Sequence, residues 1–149
     1  FWNRYFMGTK TKIQLFQFGR DRKVSVPELQ NGSRKEVPQE VIDQIKKLME
    51  SEKPYLDPEL NLIDLAKRAN MSRSQLSETI NHGFQKNFND FVNMYRIEAF
   101  KKMIAAEKHE QLSLLGIAYE CGFNSKATFN RVFKKLTQTS PTEFLKAAV

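Results

Sequence analysis

The chain has 149 residues, which at about 100–200 residues per domain allows one domain or two small ones and excludes a large multi-layer enzyme. With 40% hydrophobic and 28% charged residues it has a globular composition, neither disordered nor collagenous. Twenty-four Lys and Arg against 17 Asp and Glu leave a net charge of +7, a balance suited to polyanionic partners such as nucleic acid or an anionic membrane face.

Residues 1–35 hold eight basic and two acidic side chains, and Gly8, Gly19, Pro27 and Gly32 interrupt any helical period. They read as a basic linker or arm, with a short extended piece around Ile13–Phe18. A chain that begins at Phe1 reads as cut from a longer one. Its first residues, Phe1-Trp2-Asn3-Arg4-Tyr5-Phe6, have the composition of a membrane-interface exit and equally of an arm packed on a neighbouring domain. No run of about 18 apolar residues and no signal-peptide order is present.

The remaining residues, 36–149, are predicted to be all-α. A helix is expected over 36–53, with Pro38 in its first turn, Glu40 and Asp43 near its positive end, and Val41, Ile42, Ile45, Leu48 and Met49 on one face. Short amphipathic segments follow, broken at Asn70-Met71-Ser72, His82-Gly83, Lys108-His109, Gly122-Phe123-Asn124 and Ser140-Pro141. They predict a first helix-turn-helix over 60–83, a linker helix over 87–106, a second helix-turn-helix over 112–137 and a C-terminal helix over 141–148. Phe88, Phe91, Val92, Tyr95, Ala99 and Met103 mark one face of the linker helix. At 1.5 Å per residue it is a rod of about 30 Å, close to the 34 Å turn of B-DNA.

The two helix-turn-helix segments repeat one another. Leu60, Leu62, Ile63, Leu65, Ala66, Ala69, Asn70 and Met71 fall on Leu112, Leu114, Leu115, Ile117, Ala118, Cys121, Gly122 and Phe123 at an offset of 52. Asn124 is one inserted residue, after which Ser72, Leu76, Ile80 and Phe91 fall on Ser125, Phe129, Phe133 and Phe144 at 53. Each unit carries an alanine where two helices cross, a turn residue that tolerates the left-handed conformation, a serine able to cap the next helix, and an apolar pair four apart facing the core.

These residues resemble the DNA-binding domain of AraC-type transcription regulators. The likeness runs from Leu60 to Leu145 and rests on Leu-Ala-Lys-Arg-Ala-Asn-Met-Ser at 65–72, Asn-Phe-Asn-Asp-Phe-Val-Asn-Met-Tyr-Arg-Ile-Glu-Ala at 87–99, Ile-Ala-Tyr-Glu-Cys-Gly-Phe-Asn-Ser at 117–125 and Ser-Pro-Thr-Glu-Phe at 140–144. It implies two helix-turn-helix units on a long helix, sequence-specific binding to double-stranded promoter DNA, RNA polymerase as a partner, and an effector-sensing region elsewhere. A homodimer stays open, since one chain already carries two readers. The helix before the domain and Pro-Tyr-Leu-Asp at 54–57 are also similar to members whose domain is the cytoplasmic end of a bacterial inner-membrane sensor.

In the first unit the resemblance makes Ser72–Asn81 the recognition helix, with Ser74, Ser77 and Glu78 toward base edges and Ser72 and Arg73 near phosphate. This chemistry is thin, because no Arg or Gln among those base-edge positions offers a bidentate purine contact, and Glu78 reads equally as a solvated charge. The second unit has Lys126, Ala127, Thr128, Asn130, Arg131, Lys134 and Lys135, with no acidic side chain from Ser125 until Glu143. Arg131 suits guanine and Asn130 adenine, Lys126 a base or a phosphate, and Ala127 a thymine methyl. Ser125 and Thr128 are assigned to phosphate, and Lys134 and Lys135 to phosphate or solvent. Arg96 resembles the family's arginine on the linker helix, which suits either a pairing with neighbours on the Glu98 side or an approach to phosphate, and the structural pairing is the preferred expectation.

Two other function classes compete. A Cys121 nucleophile with His82 or His109 as base is chemically conceivable, but Cys121 stands at a small buried position, where an inert packing cysteine is expected. One cysteine excludes an intrachain disulfide, and so small a Cys and His complement speaks against a metal site; no cofactor is expected. No phosphate-binding loop or nucleophile elbow appears. The aromatics lie at core spacing instead of forming a stacking platform, against a single-stranded RNA binder. A basic, all-helical protein-interaction module remains the rival.

Overall fold

The computed structural model describes residues 36–107 and 110–148. The basic arm over 1–35, with its extended piece and aromatic cluster, and His109 lie outside the described residues. The described chain is all-helical: α1 (Gln39–Ser51), a 3-10 turn (Pro54–Leu56), α2 (Leu62–Arg68), α3 (Arg73–Glu78), a π turn (Thr79–Gly83), α4 (Phe88–Ala105), α5 (Leu114–Glu120), α6 (Lys126–Thr137) and α7 (Pro141–Ala148).

Helix α1 is shorter than the expected span. Pro38, with ψ of 138°, is the residue before the helix and not part of its first turn, and Lys53 enters the left-handed region at φ 50°, which ends the helix ahead of Pro54. The apolar face lies inward as its period requires: Ile45 and Met49 are fully buried, and Val41, Ile42 and Leu48 are half-buried. Gln44 Nε2 donates to the Ala69 carbonyl at 3.0 Å, so α1 is fastened to the end of α2.

The two turns are built alike. Asn70 and Gly122 both have positive φ, 57° and 92°. Met71 N–H returns to the Ala66 carbonyl at 2.9 Å and Phe123 N–H to the Ala118 carbonyl at 3.1 Å, closing each helix end with the same reversal. Ala66 and Ala118 are buried where the helices cross. Side-chain oxygens of Asn61, Ser72, Asn87, Ser113 and Ser125 accept amides at the starts of α2, α3, α4, α5 and α6.

The linker helix differs from the one-faced strut expected from its sequence. Successive residues turn by about 100°, so Phe91, Val92, Tyr95 and Ala99 lie on one side and Ile97, Phe100 and Ile104 roughly opposite. The first side joins a core with Ile45, Met49, Leu65, Leu76 and Ile80. The other joins a second core with Ile117, Ala118, Phe129 and Phe133. Helix α4 is thus apolar on two sides because it is the shared wall of both units. Each fully buried Phe contributes about 1.5–3 kcal/mol of hydrophobic stabilisation, and Phe91, Phe100, Phe129 and Phe133 are all of this kind. Phe144 of α7 closes the second core edge-on against Phe133, with ring centroids 5.5 Å apart.

Arg96 makes a structural contact, but with backbone and not beside Glu98. Its Nε donates to the Tyr55 carbonyl at 2.7 Å and an Nη to the Asp57 carbonyl at 2.8 Å. Glu98 pairs instead with Lys101 at 2.8 Å.

Candidate nucleic-acid interface

The second helix of each unit is pinned by its apolar side, and that determines what it offers outward. On α6, Phe129, Val132 and Phe133 are buried. About 100° per residue then sets Lys126, Ala127, Asn130, Arg131 and Lys134 on the far side, and all five are exposed. Among the described residues no ion pair involves Lys126, Arg131 or Lys134. With no acid on α6, the stripe keeps a positive potential that a polyanion feels.

Ser125 and Thr128 are half-buried at the start of this helix and spend their hydroxyls locally. Ser125 Oγ accepts the Thr128 N–H at 3.1 Å and donates to Thr128 Oγ1 at 3.3 Å. Lys135 sits at the flank of the stripe, where its Nζ donates to both carboxylate oxygens of Asp90 on α4, at 2.9 and 3.1 Å. That hydrogen bond holds the Asp90 carboxyl below the usual carboxylate range. Lys135 is thus held in an ion pair, whereas Lys134, one residue before it, makes no ion pair among the described residues and only helps lower the pKa of Glu143 on α7 through its charge.

Helix α3 repeats the arrangement with different chemistry. Ser72 and Gln75 form a reciprocal cap, Ser72 Oγ accepting the Gln75 N–H at 3.2 Å and Gln75 Oε1 the Ser72 N–H at 2.9 Å. Leu76, Thr79 and Ile80 face inward. Arg73, Ser74 and Glu78 are exposed and Ser77 is half-buried. The helix expected over Ser72–Asn81 is α-helical only to Glu78 and then widens into the π turn, in which the buried Thr79 Oγ1 donates to the Gln75 carbonyl at 2.9 Å.

Sequence reasoning missed Asn81. It is exposed, and its Nδ2 donates to Ser77 Oγ at 3.4 Å, which sets an amide beside a side chain that the sequence places toward base edges. The signal was present in the repeat, because the offset of 53 pairs Asn81 with Lys134.

Cys121 is fully buried behind α6, its sulfur 3.6 Å from that of Met103, and burial pushes its thiol up to about 12. A thiol held protonated in this way is a packing group.

Residues 65–147 match the family model described as a helix-turn-helix domain. The chain is 25% identical over 105 residues to the Msm operon regulatory protein of Streptococcus mutans, covering 70% of this chain and 36% of that protein. It is 33% identical over 86 residues to an uncharacterized HTH-type transcriptional regulator in the cgkA 5′ region of Pseudoalteromonas carrageenovora, covering 58% of this chain and 49% of that one. The chain therefore spans half or less of the length of these relatives. A solved DNA-binding transcriptional dual regulator from Escherichia coli K-12 shares the fold, with a TM-score of 0.58, 19% identity, and coverage of 69% of this chain and 95% of the other. No described helix is long and apolar enough to cross a membrane. The paired turns, the shared helix and the family match over 65–147 agree, and the chain belongs to the AraC-type helix-turn-helix family of DNA-binding transcription regulators.

Proposed function

We propose that this chain binds duplex DNA sequence-specifically by inserting α3 and α6 into successive major grooves, and that the whole protein regulates transcription from promoters bound in this way. One observation carries the reading: each unit turns a polar, exposed stripe outward from a helix locked by its opposite side, and both helices belong to units built on one helix, α4. Eighteen residues of α4 span about 27 Å, a length of the same order as the roughly 34 Å turn of B-DNA.

Helix α6 is the stronger reader. Arg131 supplies a fork for guanine and Asn130 an amide for adenine, Ala127 meets a thymine methyl, and Lys126 meets a base or phosphate. Lys134 neutralises phosphate, and the Ser125–Thr128 cap presents the helix start to the backbone. Helix α3 adds weaker contacts through Ser74, Ser77 and Glu78, with Ser72 and Arg73 toward phosphate.

Selection from random duplexes followed by footprinting tests the reading. A selected duplex is expected to bind about 1,000-fold more tightly than random duplex, with protection in two adjacent major grooves. Equal retention of selected and random duplexes would overturn it in favour of a basic protein-interaction module.

A further inference from the structure

We infer that Arg96 is a positioning residue which locks the second reading helix in register with the first, by clamping the turn before α6 onto the 3-10 turn that follows α1. The inference rests on the two-groove reading above. The 3-10 turn belongs to the first unit, since Tyr55 is buried in the first core and stacks on Tyr95 with ring centroids 5.6 Å apart. The carbonyls of Tyr55 and Asp57 point at the Arg96 guanidinium, which accounts for two of its donors in fixed directions. The other side of Arg96 meets the second unit, with its guanidinium carbon 5.8 Å from the centroid of the Phe123 ring.

Gly122, one residue before Phe123, completes the junction. Its φ of 92° excludes ordinary side chains, and a Cβ there would fall on the Tyr55 carbonyl oxygen and come within 3.0 Å of Arg96 Nε. Backbone of the second turn thus rests against backbone of the first unit with nothing between them. Phe123 continues into the second core against Phe129 of α6, ring centroids 5.2 Å apart. The chain of contacts runs from the first core through Tyr55, Arg96 and the Gly122 turn to the start of the reading helix.

A shared α4 holds both units through the two cores packed on its sides, and Arg96 adds a tie away from those cores, between the 3-10 turn and the turn before α6. The Lys135–Asp90 pair is solvent-exposed and screened by salt. Arg96 is half-buried, and burial lowers its pKa; its Nε bond to the Tyr55 carbonyl is partly shielded from water, while its Nη bond to the Asp57 carbonyl is exposed. It is therefore the stiffer of the two ties. It also joins the segment arriving from the N-terminal side to the second reader, with no need for movement along α4.

The test measures tolerance to spacing. The duplex selected by the parent chain is remade with about two base pairs inserted between the two protected grooves, which rotates one half-site by about 70°. The parent is expected to lose about 100-fold in affinity on the altered duplex, because simultaneous engagement is lost. Arg96→Gln is expected to bind a duplex carrying only the α6 half-site as the parent does, yet to lose less than about tenfold on the altered spacing. Arg96→Lys keeps the charge without the fork and is expected to fall between them. It also decides the matter if Arg96→Gln melts. A folded Arg96 variant with the parent's spacing profile would overturn the inference. A parent indifferent to spacing would instead sink the two-groove reading beneath it.

Discussion

Lys135 of α6 holds Asp90 in the first turn of α4 through both carboxylate oxygens, at 2.9 and 3.1 Å, while its neighbour Lys134 has no such partner among the described residues. Two adjacent lysines that sequence alone treats alike are thereby separated. Lys134→Ala is expected to weaken binding to all duplexes and lower the salt slope by about one phosphate contact, whereas Lys135→Ala leaves that slope nearly unchanged. Titrations from low to high salt check both variants, and equal slopes would remove the distinction.

Arg131→Ala is expected to cost about 1–3 kcal/mol on the selected duplex and to relax preference at one base pair, since a bidentate guanine contact is lost and phosphate contacts are kept. Binding to random duplex changes less. Unaltered affinity for the selected duplex would show that Arg131 does not face a base.

The Asp90 carboxyl has a depressed pKa, chiefly through the Lys135 hydrogen bond. Its stabilising contribution is therefore present above the ordinary Asp value of about 3.9 and is lost as pH falls through the lower folded value. Urea melts of the parent and Asp90→Asn at pH 7 and in strong acid are expected to differ slightly at the first and to converge at the second. The pair is largely exposed, so the difference at pH 7 is small.

Cys121 shifts the other way, from an ordinary 9.0 up to about 12 because it is buried. Its neutral thiol supports the fold fully below pH 9, and that support is lost as pH rises toward 12. Thiol reagents at pH 8 are expected to leave the native chain unmodified and to label it on unfolding. Rapid labelling of the folded chain would mean that this part of the second core opens readily.

Ala99 packs against both cores. Ala99→Pro removes a helical hydrogen bond and kinks α4, at a cost of about 3 kcal/mol or more. Both units are expected to melt together at a lower temperature. Independent melting of two halves, followed by circular dichroism and calorimetry, would contradict a shared wall.

The local features were legible in the residues themselves. Asn70 and Gly122 were readable as left-handed turn residues, Ser72 and Ser125 as caps, and Leu76, Ile80, Phe129 and Phe133 as inward pairs, because turns, caps and four-residue spacing depend on neighbours close in the chain. What only the tertiary structure decided are contacts between residues far apart in sequence. Nothing near Arg96 announces that its partners are carbonyls 41 and 39 residues earlier, because every residue except proline offers the same backbone and a carbonyl has no sequence signature. The two-sided burial of α4 was hidden likewise: periodicity reports how apolar a helix side is, not which of two cores will cover it. Asp90 and Lys135, 45 residues apart, meet only because those cores bring the flank of α6 to the start of α4.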